Sequence, residues 1–288
     1  MKVGNLDGRM VLIDDDGAID VASASGGRFG PDAASLYEQW DDFVAWSSTA
    51  SGPTPFDPQK LLAPSPVPRQ SFGIGLNYAA HAAESNMPKP EFPPTFTKFP
   101  SCITGPYATV ELPSDGIDWE VELVVIIGRT ADHVVEADAW SYVAGLTIGQ
   151  DLSNRAVQLR PPVPQFSLGK SFPGFGPTGP WLVTPDEFAD LDDLALSCTL
   201  NGETMQDSRT NDLIFSVPAL IFSVPALIER LSGIVTLWPG DVIFTGTPSG
   251  VGVARNPQRF LAPGDVLIST IEGIGSITTT LIGASHAD

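Results

Sequence analysis

The sequence is best understood from one stretch, DWEVELVVIIGR, at residues 118–129. Successive side chains of a β-strand point to opposite faces, so residues two apart share a face. One face of this stretch is then apolar throughout, whereas the other begins with Glu120 and Glu122 and continues with Val124 and Ile126. A solvent-facing side would not carry Val124 and Ile126, so we predict a strand that is covered on both faces. Two like charges would then point toward an interior, where desolvation is costly unless a cation compensates it.

A divalent metal ion is one candidate for that cation. Mg²⁺ and Mn²⁺ prefer hard oxygen ligands. Asp151 is the best third ligand, because it follows an apolar, small-residue run at residues 144–149 that would deliver it to an interior or a cleft edge. Three carboxylates plus waters suit an octahedral ion that stays partly hydrated. The sequence therefore predicts metal ligands at Glu120, Glu122 and Asp151.

An alternative reading of the two glutamates needs no metal. They could pair with Arg129 or Arg155 on a more solvated face. A soft-metal site is not indicated in either case, since the three histidines at 81, 133 and 286 are not paired at ligand spacing.

Composition and charge exclude several classes of partner. The chain has 288 residues, 42% of them hydrophobic, and no apolar run near the length of a membrane span. The net charge of −19, with only 15 Lys plus Arg, argues against nucleic acid and anionic membrane as partners. The start, MKVGNLDGRM, has no apolar segment typical of a signal peptide, and Cys102 and Cys198 lie far apart. We therefore expect a cytoplasmic protein with reduced thiols.

Strand-like segments dominate the chain after the first 66 residues. Strands are predicted at 70–75, 121–127, 197–200, 242–245, 266–270 and 275–281, and helices at 78–86, 137–142 and 225–231. The 27 prolines and 28 glycines leave little room for long helices. This favours a mainly β, α+β architecture over a regular βαβ barrel.

The N-terminal part of the chain reads as a separate small unit. We predict a small α+β domain at 1–66, with a strand at 10–13, a turn at 14–17 and helical structure at 33–46. The proline-rich stretch at 51–69 reads as a linker to a catalytic domain at 67–288. Residues 1–66 offer no identifiable chemistry, and we expect them to pack on the catalytic domain or on a partner subunit.

The seven letters IFSVPAL occur at 214–220 and again at 221–227. The second copy makes a good helix entry, with Ser223 as the N-cap and Pro225 in the first turn. A second proline would not suit a continuous helix. We therefore expect a tandem duplication that is looped out at the surface, since surface insertions cost little free energy.

NYAAHAAE, at residues 77–84, carries a candidate general base. His81 and Glu84 stand three apart, so on a helix the carboxylate can hold the imidazole in one tautomer. This is the arrangement that deprotonates water, although an ordinary surface pair has the same spacing. The preceding GIGLNY is not a dinucleotide-binding loop, because Tyr78 occupies the position of the third glycine.

Two glycine-rich segments add further candidates. Lys170, in SLGKSF, could act as an electrophile or proton donor to a developing enolate. TGTPSGVG, at 245–252, follows a predicted strand and contains Gly246 and Thr247. Its backbone N–H groups could hold a substrate carboxylate, or the glycines could simply serve a tight turn. Lys98, in FTKFP, sits in an odd context for a solvent-facing lysine.

In order along the chain, these motifs resemble the fumarylacetoacetate hydrolase superfamily over roughly residues 70 to 283. The segments that carry the resemblance are GLNYAAHAAE, TFTKFPSCITGP, DWEVELVVIIGR, AGLTIGQDLSNRAVQ, LGKSFPGFGPTGPW, LNGETMQDSRTNDLIFSVP and PGDVIFTGTPSGVG. The resemblance implies a mixed β-sheet roll, a divalent ion that is usually Mg²⁺ or Mn²⁺, and a homodimer.

Carried over to this chain, the resemblance also assigns roles to residues. The metal ligands would be Glu120, Glu122 and Asp151, the water-activating pair His81 and Glu84, and the active-site lysine Lys170. Substrate contacts would come from Arg155, Gln158, Gly246 and Thr247. The chain departs from the family pattern at Pro173 and Gly174, where many members have an aspartate, at Gln150, where many have asparagine, and at the IFSVPAL duplication.

The implied activity is metal-dependent hydrolysis of a carbon–carbon bond in a 2,4-dioxo acid, through an enolate. The same chemistry would serve isomerisation or hydration of 2-hydroxy-dienoates in aromatic catabolism, or decarboxylation of an oxaloacetate-like acid. Two alternatives do not involve catalysis. The protein could bind a 2-oxo acid without converting it, or the acidic residues could form a metal-free cluster of salt bridges. The presence of a base and a lysine favours an enzyme.

Overall fold

The structure is a computed structural model that describes residues 1–85, 90–212 and 222–284. Its strands in chain order are β1 Lys2–Leu6, β2 Arg9–Asp14, β3 Gly17–Asp20, β4 Leu61–Leu62, β5 Ser71–Ile74, β6 Thr95–Thr97, β7 Ile103–Thr104, β8 Thr109–Leu112, β9 Ile117–Asp118, β10 Val121–Ile127, β11 Val143–Gln150, β12 Ser153–Asn154, β13 Gly176–Val183, β14 Ala195–Leu200, β15 Glu203–Arg209, β16 Val242–Phe244, β17 Val266–Ile271 and β18 Gly275–Gly283. The α-helices are α1 Val21–Ala24, α2 Ala33–Tyr37, α3 Trp40–Ser47, α4 Ala79–Glu84, α5 Arg155–Gln158, α6 Phe166–Gly169 and α7 Val224–Ser232. Short 3₁₀ helices lie at Pro58–Lys60, Pro100–Cys102, Glu136–Tyr142, Pro185–Glu187, Thr210–Asp212 and Gly252–Ala254.

Two mixed sheets organise these strands. The larger has the order β3-β2-β1-β13-β11-β10-β16-β5-β6, with β4 paired to β1 and β7 to β13. The second has the order β15-β14-β17-β18-β8. Most neighbours are antiparallel, but β7 runs parallel to β13, β16 to β5 and β18 to β8, and β9 and β12 pair only with each other. The predicted mainly β, α+β class is therefore confirmed.

Strand β10 lies in the middle of the larger sheet and is buried along its whole length. One face, with Val121, Leu123 and Val125, packs in the core shared with the second sheet. The other face, with Val124 and Ile126, packs in a second core that contains N-terminal side chains. The prediction of a strand covered on both sides is confirmed, and the N-terminal residues supply the second cover.

The N-terminal segment joins the larger sheet through β1. Antiparallel pairing of β1 with β13 places its hairpin partners at the outer part of that sheet. Above them lies an aromatic cluster in which neighbouring rings are 5.3–6.2 Å apart, made of Phe29, Tyr37, Trp40, Phe43 and Trp46. The helical region predicted at 33–46 forms two helices, α2 and α3. The division of the chain at residue 66 stays a prediction.

The other predicted elements agree with the structure in type. The six predicted strands are found as β5, β10, β14, β16, β17 and β18, and two predicted helices as α4 and α7. The segment 137–142 is helical too, but with the tighter 3₁₀ geometry. Ser223 caps α7 by accepting a hydrogen bond from the Ala226 N–H at 3.3 Å, as predicted. The first IFSVPAL copy lies outside the described residues, so its looped-out conformation stays a prediction.

Candidate metal centre and active-site cavity

Three buried carboxylates meet at the start of β10. Glu120 precedes the strand, Glu122 is its second residue, and Asp151 follows the partner strand β11. The antiparallel register pairs Glu122 with Gly149, so Asp151 lies opposite Glu120, and the Asp151 N–H donates to the Glu120 carbonyl at 2.9 Å. One oxygen from each carboxylate lies within 4.8 Å of the other two. The three predicted ligands therefore form one cluster, which could bind a metal ion.

Buried cations bind two of the three carboxylates. Lys170 Nζ lies 2.6 Å from both Glu120 Oε2 and Asp151 Oδ2. Arg155 binds the other oxygen of Glu120 at 2.8 Å, and Lys98 binds the other oxygen of Asp151 at 2.6 Å. Although burial opposes its charged form, Glu120 has its pKa lowered to about 2 by Lys170 and Arg155.

Glu122 forms no direct ion pair among the residues that the structure describes, although Lys170 and Lys98 lie near enough to act on its charge. Its side chain is buried, and its Oε2 accepts a hydrogen bond from the Gly246 N–H at 2.8 Å. Burial, together with the nearby Asp151 and Glu120, raises the pKa of Glu122 well above its ordinary range. A buried carboxylate without a direct ion pair is costly, and a divalent cation among the three carboxylates would supply one. The donor set fits a hard ion such as Mg²⁺ or Mn²⁺.

The alternative arginine pairing of the glutamates is realised only in part. Arg129 is exposed and pairs with Asp41 at 2.7 Å. Arg155 does bind Glu120, but the pair is buried, and its guanidinium is shared with Asp118 at 2.7 Å. Neither arginine pairs with Glu122 in the described part of the chain, so the solvated-face reading does not account for the cluster.

His81 and Glu84 are neighbours on helix α4, as their spacing predicts. His81 Nδ1 lies 2.7 Å from Glu84 Oε1, and the carboxylate partner places the proton on Nδ1. The second oxygen of Glu84 accepts a hydrogen bond from the Gly250 N–H at 2.9 Å. The imidazole is thus held at Nδ1, and Nε2 is left as the proton acceptor.

A cavity of about 380 Å³ brings the predicted catalytic residues together. Seven of the predicted site residues line it, namely His81, Glu84, Glu120, Arg155, Gln158, Lys170 and Thr247. The rest of the lining is largely apolar and includes Ile74, Leu76, Phe96, Leu159, Phe166 and Val253. The base, the lysine and one carboxylate of the triad therefore face one space of a size that is typical for a small ligand.

The polar groups of the residues predicted to contact substrate already have hydrogen-bond or ion-pair partners in the protein. The Gly246 N–H is taken by Glu122, and Gly246 does not line the cavity, so the structure assigns this N–H a protein partner instead of the predicted substrate carboxylate. Arg155 donates to Asp118 and Gln158 and forms an ion pair with Glu120. Thr247 faces the cavity, but its hydroxyl donates to the Val121 carbonyl at 2.9 Å.

Three residues that surround the triad carried no signal strong enough for sequence reasoning. Asp118 is fully buried and accepts from the Gly252 and Val253 N–H groups. Gln150 Oε1 accepts from the Glu120 N–H at 3.0 Å, and Gln206 Oε1 accepts from the Val121 N–H at 3.0 Å. The two glutamine amides thus bind the backbone N–H groups of Glu120 and Val121 where β10 begins. The one sequence signal for Asp118 was its position as the first residue of the stretch at 118–129.

Comparison with protein families decides the identity. Residues 70–282 match the family described as fumarylacetoacetate (FAA) hydrolase C-terminal. The chain belongs to the fumarylacetoacetate hydrolase family. The match covers the cavity, the triad, the second sheet and the part of the larger sheet that follows β4, and it confirms the resemblance that the motifs predicted.

Individual relatives in the fumarylacetoacetate hydrolase family carry several enzyme names. The chain is 44% identical to the mitochondrial oxaloacetate tautomerases FAHD2A of Bos taurus and of Homo sapiens, over 77% of this chain and 69% of theirs. A candidate HpcE protein from Mycobacterium smegmatis is 54% identical with a TM-score of 0.93, covering 99% of this chain and 100% of that one. A maleylpyruvate hydrolase from Sphingobium sp. SYK-6, solved with manganese(II) and pyruvate, is 26% identical with a TM-score of 0.78 over 99% of this chain and 100% of that one. The chain is therefore similar to enzymes. Among its described helices, none has the length and apolar character needed to cross a bilayer.

Proposed function

We propose that this protein is a Mg²⁺- or Mn²⁺-dependent enzyme that forms the enolate of a small 2-oxo acid, with keto–enol tautomerisation of oxaloacetate as its first candidate reaction. The observation that carries the proposal is the shared cavity. A base held by a carboxylate, a lysine, and one oxygen ligand of a buried triad all face it. The names of the relatives that are 44% identical support the choice of oxaloacetate.

Proton transfer is the only covalent change that tautomerisation requires. His81 Nε2 takes a proton from C3, the electron pair of that C–H bond becomes the C2=C3 double bond, and the 2-oxygen takes up a proton. The enol therefore has the same atoms as the ketone. A bound divalent ion would supply Lewis-acid stabilisation of negative charge on oxygen.

The residues of the chain prepare that proton transfer. Glu84 fixes the His81 ring, so that Nε2 acts as a base without a change of tautomer. Lys170 Nζ, next to Glu120, can donate a hydrogen bond to the 2-oxygen as charge develops there. Phe96 and Phe166 also line the cavity, and the Phe96 ring lies 5.3 Å from Lys170 Nζ, so the ammonium meets the substrate in partly apolar surroundings.

A second candidate is the hydrolysis of a 2,4-dioxo acid. His81 would take a proton from water, the resulting hydroxide would add to the C4 carbonyl, and the C3–C4 bond would break. A carboxylic acid and the enolate of pyruvate would result, and protonation at C3 completes the balance. The similar maleylpyruvate hydrolase, which was solved with manganese and pyruvate, favours this candidate. Isomerisation of a 2-hydroxy-diene-dioate or decarboxylation of oxaloacetate would use the same base.

A substrate panel separates these reactions. The purified protein is incubated with Mn²⁺ or Mg²⁺ and with oxaloacetate, an acylpyruvate and a 2-hydroxy-diene-dioate, and ultraviolet absorbance follows the enol and diene bands. We expect faster decay of the oxaloacetate enol without loss of carbon dioxide. Release of pyruvate from the acylpyruvate would favour hydrolysis instead. If no compound reacts, the protein binds 2-oxo acids without turnover or does not use them, and the enzyme proposal fails.

His81→Ala is the first variant to measure. We expect turnover to fall by about 100-fold or more, because a positioned general base contributes at least that factor, while Mn²⁺ affinity by calorimetry stays unchanged. His133→Ala is the matched control, since His133 makes the same 2.7 Å contact with Asp132 but is 78% exposed. A similar loss in both variants, or weaker metal binding in His81→Ala, would contradict the assigned role.

A further inference from the structure

Lys98 is a fully buried lysine that the reaction scheme does not use. Its side chain is 0% exposed, although a charged ammonium in an interior needs strong compensation. It stands just after β6, and its backbone N–H donates to the Ser71 carbonyl at 2.9 Å. The backbone of Lys98 is therefore fixed beside the larger sheet, and its side chain extends inward.

All three hydrogen bonds of the Lys98 ammonium reach parts of the metal centre and its surroundings. Nζ donates to Asp151 Oδ1 at 2.6 Å, to the Phe175 carbonyl at 3.1 Å, and to the carbonyl of Lys170. An ammonium has three donors, so the set is complete. Lys98 thus touches one ligand of the triad and both ends of the segment 170–175.

The two oxygens of Asp151 are held from opposite directions. Oδ1 is bound by Lys98, and Oδ2 is bound by Lys170, which also bridges to Glu120 Oε2. Lys98 is not among the residues that line the cavity, and it reaches the lining only through the Lys170 carbonyl. Its position suits a residue that orients Asp151 and does not react with substrate.

We propose that Lys98 is a positioning residue of the metal centre, which holds Asp151 by Oδ1 and fixes the backbone that presents Lys170 to the cavity. This role rests on the proposed metal-dependent function. Partners that orient a metal ligand usually contribute 10- to 100-fold to metal affinity. Lys98 would do so from outside the ligand set.

The test compares Lys98→Met with the wild type by Mn²⁺ titration, using calorimetry or electron paramagnetic resonance well below the melting temperatures. Methionine keeps most of the length but has neither the charge nor the donors. We expect Mn²⁺ to bind about 10- to 100-fold more weakly. At saturating Mn²⁺ we also expect lower kcat with little change in KM, since Lys170 loses a support of its backbone.

Ile228→Val is the control for a general loss of packing. Ile228 is buried in the core shared with the second sheet, on helix α7, away from the triad and from the segment 170–175, so this variant should lose stability without losing Mn²⁺ affinity. Equal or tighter Mn²⁺ binding by Lys98→Met would overturn the proposal, as would an equal loss of affinity in Ile228→Val. If Lys98→Met does not fold, Lys98→Gln takes its place with the same expected and overturning results.

The Mn²⁺ measurement needs no turnover, so it separates this proposal from the proposed reaction. A wild type that binds Mn²⁺ but converts no substrate would refute the reaction and leave the role of Lys98 in metal binding open to the affinity comparison above. A wild type that does not bind Mn²⁺ would refute the metal centre and the role of Lys98 together.

Discussion

Glu122 differs from the other two carboxylates of the triad in its surroundings. Lys170 and Arg155 compensate Glu120, and Lys98 and Lys170 compensate Asp151, whereas the described contact of Glu122 is a backbone N–H. At the scale of single residues, Glu122 is therefore the carboxylate of the triad that still needs a direct positive partner. Replacing that one side chain tests the metal centre more directly than removing a paired carboxylate would.

Glu122→Gln keeps an oxygen for the Gly246 N–H but removes the charge. Because the folded-state pKa of Glu122 is raised, the metal-free wild type loses stability relative to the variant as pH rises above the ordinary glutamate range. We expect the variant to melt higher in chelator near pH 8, with a smaller difference near pH 5. Thermal melts across pH measure this, and a variant less stable than the wild type at pH 8 would contradict it.

The same variant should lose the response to metal. Mn²⁺ at 100 times its Kd would stabilise the wild type by about 2.7 kcal/mol through mass action, and Glu122→Gln should show a much smaller rise in melting temperature. Asp115→Asn, an exposed carboxylate near the same strand, is the control. An equal rise in all three proteins would show that the ion binds elsewhere.

At the scale of elements, the start of β10 is held by side chains from other strands. Gln150 comes from β11 and bonds Ser269 on β17, and Gln206 comes from β15 and bonds the Thr247–Pro248 segment. Both sheets therefore contribute to the position of the glutamates. The second sheet supports the site as well as the core.

Gln206→Leu tests this support. It leaves the Val121 N–H and the Pro248 carbonyl without their buried partner, and each unpaired group costs about 1–3 kcal/mol. We expect a loss of unfolding free energy in that range or above, measured by urea denaturation, together with weaker Mn²⁺ binding. Thr204→Val, exposed on the same strand, should change stability by less than about 0.5 kcal/mol. If Gln206→Leu binds Mn²⁺ as tightly as the wild type does, β15 contributes to the packing of the core and not to the geometry of the metal centre.

At the scale of the whole molecule, large apolar side chains remain exposed on the described surface. Ile234 is 85% exposed, and Val163, Leu168 and Phe92 are each at least 65% exposed. Apolar surface of this kind marks contact sites when it is contiguous. We propose a homodimer, as the family resemblance implies, and expect light scattering after size exclusion to give twice the 30.5 kDa chain mass. A mass of one chain at micromolar concentration would refute it.

Sequence reasoning succeeded where the signal is local. The period-two pattern of β10, the spacing of His81 and Glu84, and the Ser223 cap each depend on residues within one turn or strand. The proximity of Asp151 to the two glutamates could be predicted only by assuming a shared cation or by using the family resemblance. Lys98 and Gln206 reach the site from β6 and β15, and such long-range contacts leave no periodic trace in the sequence. For the same reason, the role of the N-terminal side chains in covering β10 could not be seen before the sheet was known.

The triad comes from one antiparallel strand pair, β10 with β11, so its three acids lie within 32 consecutive residues, 120–151. Apolar side chains of the cavity lining, such as Phe96, Phe166 and Val253, come from other segments. Substitutions in those segments could therefore change which substrate the cavity accepts without altering the strand pair that carries the triad. The same scaffold would then serve tautomerases, hydrolases and isomerases.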